Sequence, residues 1–99
     1  MDNLTEFEGL DSLIQDINAV LDISEELIDK LCPAPLNPQS TEVLKNLGDL
    51  KKRRDEVDTP PVKGSTLEKN IAGLNKLKGL TDILREHEQL KADALEHLP

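Results

Sequence analysis

Aromatic residues are nearly missing from this chain: it has no tryptophan and no tyrosine, and Phe7 is its single phenylalanine. Sandwiches and barrels build their cores from aromatic and β-branched side chains, so this scarcity argues against an all-β fold. Cysteine is almost as rare. Cys32 stands alone, cannot form an internal disulfide, and fits a reducing compartment, cytoplasmic or, in a eukaryote, nuclear. No stretch approaches the roughly eighteen uninterrupted apolar residues of a transmembrane helix. The opening residues, MDNLTEFEG, are acidic where a secretory leader is positively charged. Base is the last scarcity. Residues 1–31 hold nine acids against one base, Lys30, and so carry a local charge equal to the whole chain's −8. Such asymmetry bears on partner choice and solubility more than on fold.

Leucine is abundant, with eighteen among 99 residues. Hydrophobic residues make up 36% and charged residues 32%, the balance of a surface-rich helical protein. Aliphatic stripes build bundles and coiled coils, so the fold class expected is all-α, in one small domain. A core with so little aromatic mass has few anchors, and assembly with itself or with a partner is the natural supplement.

Two proline-bearing breaks divide the chain into three helical segments, expected at about 5–31, 41–57 and 66–97. In the first, Leu10, Ile17 and Leu31 share one heptad seam, and Leu13, Val20 and Leu27 share the next. Ser24 is a polar gap in the first seam. Thr5 and Glu8 have capping-box spacing, and Asp22 with Glu25 repeats it, which leaves room for a kink near residues 22–24. The break CPAPLNPQ, residues 32–39, holds three prolines and must be extended. Ser40 or Thr41 is the expected N-cap of the second segment. Lys51, Lys52, Arg53 and Arg54 then fill its last turns, where positive charge complements the helix dipole. DTPPVKG, residues 58–64, ends it. Ser65-Thr66-Leu67-Glu68 is a capping box for the third segment, in which Leu74, Leu77, Leu80 and Ile83 advance by threes and give a stripe that is wide or slides between two partners. Gly73 and Gly79 in that helix permit close approach of a neighbour, or mark a bend.

The sequence offers no convergent catalytic groups. His87 and His97 fall on different faces of one segment, and neither has a second histidine or cysteine at metal-ligand spacing. Cys32 is flanked by Pro33 without a nearby histidine, and no glycine-rich loop follows a strand. No catalytic, metal or cofactor site is expected, nor any small-molecule substrate. The basic run at 51–54 is followed at once by Asp55, Glu56 and Asp58. It reads as a solvated helix end, or as a patch that docks on the acidic first helix, in preference to a nucleic-acid contact.

Leu44-Lys45-Asn46-Leu47-Gly48-Asp49 resembles the centre of the third Bcl-homology motif, a helix that docks in a hydrophobic groove. The chain departs from that pattern at Ser40 and Lys51, where the family has apolar residues. Leu80-Thr81-Asp82-Ile83-Leu84 and Leu10-Asp11-Ser12-Leu13-Ile14 look like Leu-x-x-Leu-Leu boxes, strings that leucine-rich helices generate in packing their cores. The 29–44 region is similar to the helix–turn–helix of secretion-needle subunits, which have no counterpart to the long third segment.

The expected architecture is three helices packed as an up-down-up bundle or as an extended helical oligomer. The expected function is a non-enzymatic protein-interaction module, an adaptor or assembly subunit. It would bind a protein partner or a second copy of itself through an apolar stripe of Leu10, Leu13, Ile17, Val20, Leu27, Leu74, Leu77 and Leu84. The alternative is a small acidic inhibitor or nucleic-acid mimic, whose Asp11, Asp16, Asp22 and Glu25 occupy a basic site on a target. Under the first reading Ile17→Asp or Leu84→Asp abolishes binding; under the second, neutralising Asp11, Asp16 and Asp22 does.

Overall fold

In the computed structural model the described residues are 8–35, 37–58 and 64–96. They form α1 (Glu8–Leu31), α2 (Pro38–Val57) and α3 (Thr66–Glu96), with no strand among them. The protein is therefore all-α, an up-down-up three-helix bundle measuring 62 × 19 × 15 Å. The Thr5–Glu8 pairing and His97 lie outside the described residues.

α1 runs unbroken through residues 22–24. α2 begins earlier than its hydroxyl residues suggest. Asn37 is the N-cap: its side chain accepts a 2.7 Å hydrogen bond from the Ser40 amide, and its carbonyl accepts from the Thr41 amide at 3.0 Å. Pro38 then occupies the first turn, where its missing amide costs nothing. Ser40, expected as the cap, is instead a buried residue inside the first turn. α3 starts where its capping box places it. The Glu68 amide donates to Ser65 Oγ at 3.2 Å, and the Ser65 hydroxyl donates to Glu68 Oε1 at 3.3 Å.

The core joins Leu21 and Ile28 of α1, Leu47 of α2, and Leu80, Ile83 and His87 of α3, all of them fully buried. Each such aliphatic residue contributes ~1.5–3 kcal/mol before ordering costs. Two glycines let the helices approach. A Cβ on Gly73 would stand 2.5 Å from Leu10 Cδ2, and one on Gly79 would stand 3.1 Å from both methyl groups of Val57. The first marks where α1 crosses α3, the second where the end of α2 meets it. Gly48 has no such role, since nothing lies within 4 Å of its would-be Cβ. Gly48→Ala should therefore stabilise α2 by about 0.5–1 kcal/mol, read as a raised urea midpoint.

The Leu44–Asp49 stretch resembling the third Bcl-homology motif is packed inward here. Leu47 is buried and Leu44 partly buried against the core.

Candidate interaction surface

α1 and α3 run parallel at a constant offset. Leu10 lies against Gly73, and Ser24 bonds His87, a separation of 63 residues. α2 runs antiparallel to both and ends against Gly79. On α1, α2 is held at Asn18, Asp22 and Glu25, the residues bound by Arg54. Leu13, Val20 and Leu27 recur every seven residues, and Val20 and Leu27 each follow one of those contacts by two. At ~100° per residue this stripe lies on nearly the opposite side of α1 from α2. On α3, Leu74 precedes the α2 contact at Gly79 by five residues and is likewise turned well away from it.

Among the described residues this far side of the α1–α3 pair is apolar and uncovered. Leu13, Val20, Ile23 and Leu27 of α1 and Leu67, Ile71, Leu74 and Leu95 of α3 are between 42% and 66% exposed. Residues 66–78 of α3 extend beyond the end of α2 by about 20 Å, so among the described residues Ile71 and Leu74 sit where α3 packs on α1 alone, and Leu67 lies beyond the described start of α1.

The eight residues of the expected apolar stripe divide. Leu13, Val20, Leu27 and Leu74 are exposed, Leu10 is in the core, and Ile17, Leu77 and Leu84 are partly buried against it. Substituting Asp at Ile17 or Leu84 would thus damage the bundle as well as any surface. The inward face of α1 is centred on Ile14, Leu21 and Ile28 together with Leu10 and Ser24. That rotation is what turns the seam of Leu13, Val20 and Leu27 outward. Ile23, Leu67, Ile71 and Leu95 also belong to the exposed surface, and their outward-facing seven-residue neighbours were the available signal.

The acidic residues divide as well. Arg54, with 15% of its side chain exposed, reaches from α2 to Asp22 Oδ1 (2.8 Å), Glu25 Oε2 (3.0 Å) and both the side-chain oxygen and carbonyl of Asn18 (3.0 Å each). Burial works against its charge, yet the hydrogen bonds and charges of Asp22 and Glu25 prevail and raise its pKa. The docking of the basic run onto the acidic helix is thus intramolecular at Arg54. Arg53 pairs with Glu86 of α3, while Lys51 and Lys52 are exposed. Asp11 and Asp16 are exposed and make no ion pair among the described residues.

One polar pair went unrecognised in the sequence. Ser24, the gap in the α1 seam, is 2% exposed, and its hydroxyl lies 3.0 Å from Nδ1 of His87, which is wholly buried. Nε2 of that ring has no hydrogen-bond partner among the described residues. Burial pushes the His87 pKa below its ordinary value; Glu25 and Glu88 oppose that, and Lys91 and Arg54 add to it. The signal was positional: His87 follows Ile83 by four residues and precedes Leu90 by three, so it belongs to the buried stripe of α3. Cys32 is buried, and no cluster of three metal-ligating side chains occurs among the described residues. None of their helices is long and apolar enough to cross a membrane. No protein-family model, curated protein or solved structure matches this chain.

Proposed function

We propose that this chain is a non-enzymatic interaction module that binds a helix of a protein partner against the open side of its α1–α3 pair. The observation that carries the reading is the seven-residue stripe of Leu13, Val20 and Leu27 on α1, half-exposed and continued toward the start of α3 by Leu74, Ile71 and Leu67. Apolar surface of this extent, on the order of several hundred Å², marks an interaction site more often than an idle face. A helix laid into the α1–α3 groove would complete a four-helix cross-section, and burial of aliphatic side chains would supply the affinity. The chemistry-bearing side chains favour this over catalysis: His87 and Ser24 are closed off from solvent, and Cys32 is buried. It is also favoured over an acidic-inhibitor role, because Asp22 and Glu25 are already engaged by Arg54.

The test uses substitutions that leave the core intact. Leu13→Glu with Leu74→Glu should weaken a reconstituted complex with the purified partner by at least tenfold, ~1.4 kcal/mol or more. Asp11→Asn with Asp16→Asn should change it by less than about threefold. The partner would be identified by co-purification from the source cell and its binding measured by titration calorimetry. The reverse pattern, with the charges decisive and the leucines indifferent, would overturn the proposal.

A further inference from the structure

Resting on that reading of the open face, we infer that its occupant is a second copy of this chain, laid on it antiparallel, with α1 on α1 and α3 on α3. A two-fold axis crossing the bundle at right angles, in the plane of the contact, gives this arrangement as one isologous interface. α2, on the other side of each pair, stays outside it. The α1 face has the spacing for such a contact. Leu13, Asp16, Val20, Ile23, Leu27 and Lys30 alternate steps of three and four, the a and d positions of a helix that packs along another. All six are exposed, so this is a second packing face beside the one the core uses.

α3 carries a similar run on its adjoining side, from Leu74 by fours and threes to Leu95, apolar at its ends and polar in its middle. The two helices agree on one axis. The midpoint of Val20 and Ile23 and the midpoint of Leu74 and Leu95 lie 63 residues apart, the same offset that sets Leu10 against Gly73 and Ser24 against His87. An axis at that level brings Val20 onto Ile23 of the second copy and Leu74 onto its Leu95, each contact occurring twice. Leu13 then meets the aliphatic stem of Lys30. Leu67 and Ile71, nearer the start of α3, fall outside the contact.

Charge selects the antiparallel direction. Asp16 is the one acid of the α1 face; Asp11, Asp22, Glu25, Glu26 and Asp29 stand a quarter turn or more from it. A parallel α1 pair would set Asp16 against Asp16 and Lys30 against Lys30, whereas the antiparallel pair sets Asp16 one turn from Lys30 at both ends. Neither residue is in an ion pair among the described residues. On α3 the same axis sets Glu88 between Lys78 and Arg85 of the second copy. Glu88 and Arg85 remain 64% and 79% exposed in their pairs with Lys91 and Asp82, so both are open to it. Asp82, Glu86 and Asp93 turn toward α2 instead, where Glu86 meets Arg53. A contact from Leu74 to Leu95, ~32 Å long and two helices or ~20 Å wide, covers ~600 Å² of each copy. That reaches the lower bound of a standard interface, about 1,200 Å² in total.

Full-length protein at ~0.1 mM, followed by sedimentation equilibrium with circular dichroism on the same samples, tests the inference. A dimer is expected. Ile23→Glu, at a position 66% exposed in the single chain, should weaken it by at least about tenfold without loss of helicity. Asp16→Lys alone and Lys30→Asp alone should each weaken it by about tenfold, since each sets like charges together at two symmetry-related points. Both reversals in one chain should restore dimerisation, because every 16–30 contact again joins opposite charges. A wild-type monomer would overturn the second copy as occupant while leaving a different protein's helix, and so the proposed function, in place. A dimer that is lost with Ile23→Glu but ignores the charge reversals, or that the double reversal fails to restore, would overturn the antiparallel α1-on-α1 pairing. A dimer that survives both Ile23→Glu and the pair Leu13→Glu with Leu74→Glu would overturn the inference and the surface it rests on.

Discussion

Lowering the pH from 7 to 5 should destabilise this protein by up to about 2 kcal/mol, and His87→Leu should abolish most of that loss. His87 is wholly buried, with Nδ1 bonded to Ser24 and Nε2 without a partner among the described residues. A neutral imidazole tolerates that setting at the cost of one idle nitrogen. An imidazolium would have to hold a second N–H, with a full charge, in an apolar cross-section. The folded-state pKa is accordingly lowered, chiefly by burial; the surrounding charges of Glu25 on α1, Arg54 on α2, and Lys91 and Glu88 on α3 oppose one another.

The sign follows from linkage. Well above the ordinary imidazole value of about 6.5 the histidine is neutral in both folded and unfolded chains, and contributes no pH dependence. As the pH falls below that value, the unfolded chain takes up a proton that the folded chain resists, so stability drops. The slope approaches about 1.4 kcal/mol per pH unit and flattens once the pH passes below the depressed folded value. Urea denaturation at pH 7, 6 and 5 reads the effect directly. In His87→Leu the Ser24 hydroxyl can turn to a carbonyl of its own helix, so the variant should fold and show a nearly flat profile. A wild-type profile that is already flat, or a variant that keeps the full slope, would remove His87 as the source.

The helices were legible because their signals are local. Ser65 and Glu68 mark a start by their spacing, and the prolines around 33–38 and 60–61 forbid continuation. Asn37 was passed over because Ser40 and Thr41 are equally good capping residues. What chose between them was Pro38, which suits the first turn and is poorly placed before it. The rotation of α1 was not legible in the same way. Its apolar positions span both the 10/17/31 and 13/20/27 seams, a face wider than one neighbour covers, and periodicity alone does not say which edge turns inward. Tertiary contacts decide it: Gly73 admits Leu10, and Ser24 finds His87. The width was itself informative, since a stripe too broad for the chain's own helices leaves an edge exposed. The charge asymmetry was plain in composition, but its main internal use, a single arginine crossing between helices, required the fold.

That arginine supports the second large effect: Arg54→Ala should cost about 2–4 kcal/mol and loosen α2 from α1. α3 packs closely on both other helices, whereas α1 and α2 meet sparsely. The buried apolar residues of α2, Val43, Leu47 and Leu50, form one stripe, and Arg54 adds a polar clamp toward α1. Its fork is matched to what it holds, with three bonds to Asn18, one to Glu25 and an ion pair to Asp22. The contributions are unequal. Asp22 is 70% exposed, so solvent screens its pairing, and Asp22→Asn should cost less than about 0.5 kcal/mol. Glu25, only 17% exposed, should cost about 1 kcal/mol as Gln. Arg54→Ala also leaves the partly buried Glu25 without its counter-charge, which makes it the most damaging of the three. Arg54→Lys should recover less than half of the loss, because a point-charge ammonium cannot span Asn18 and Glu25 together. Chemical denaturation of the four variants gives the ranking, and hydrogen exchange locates it. Faster exchange confined to α2 is expected of Arg54→Ala, and an Arg54→Ala chain as stable as Asp22→Asn would show that the clamp contributes little.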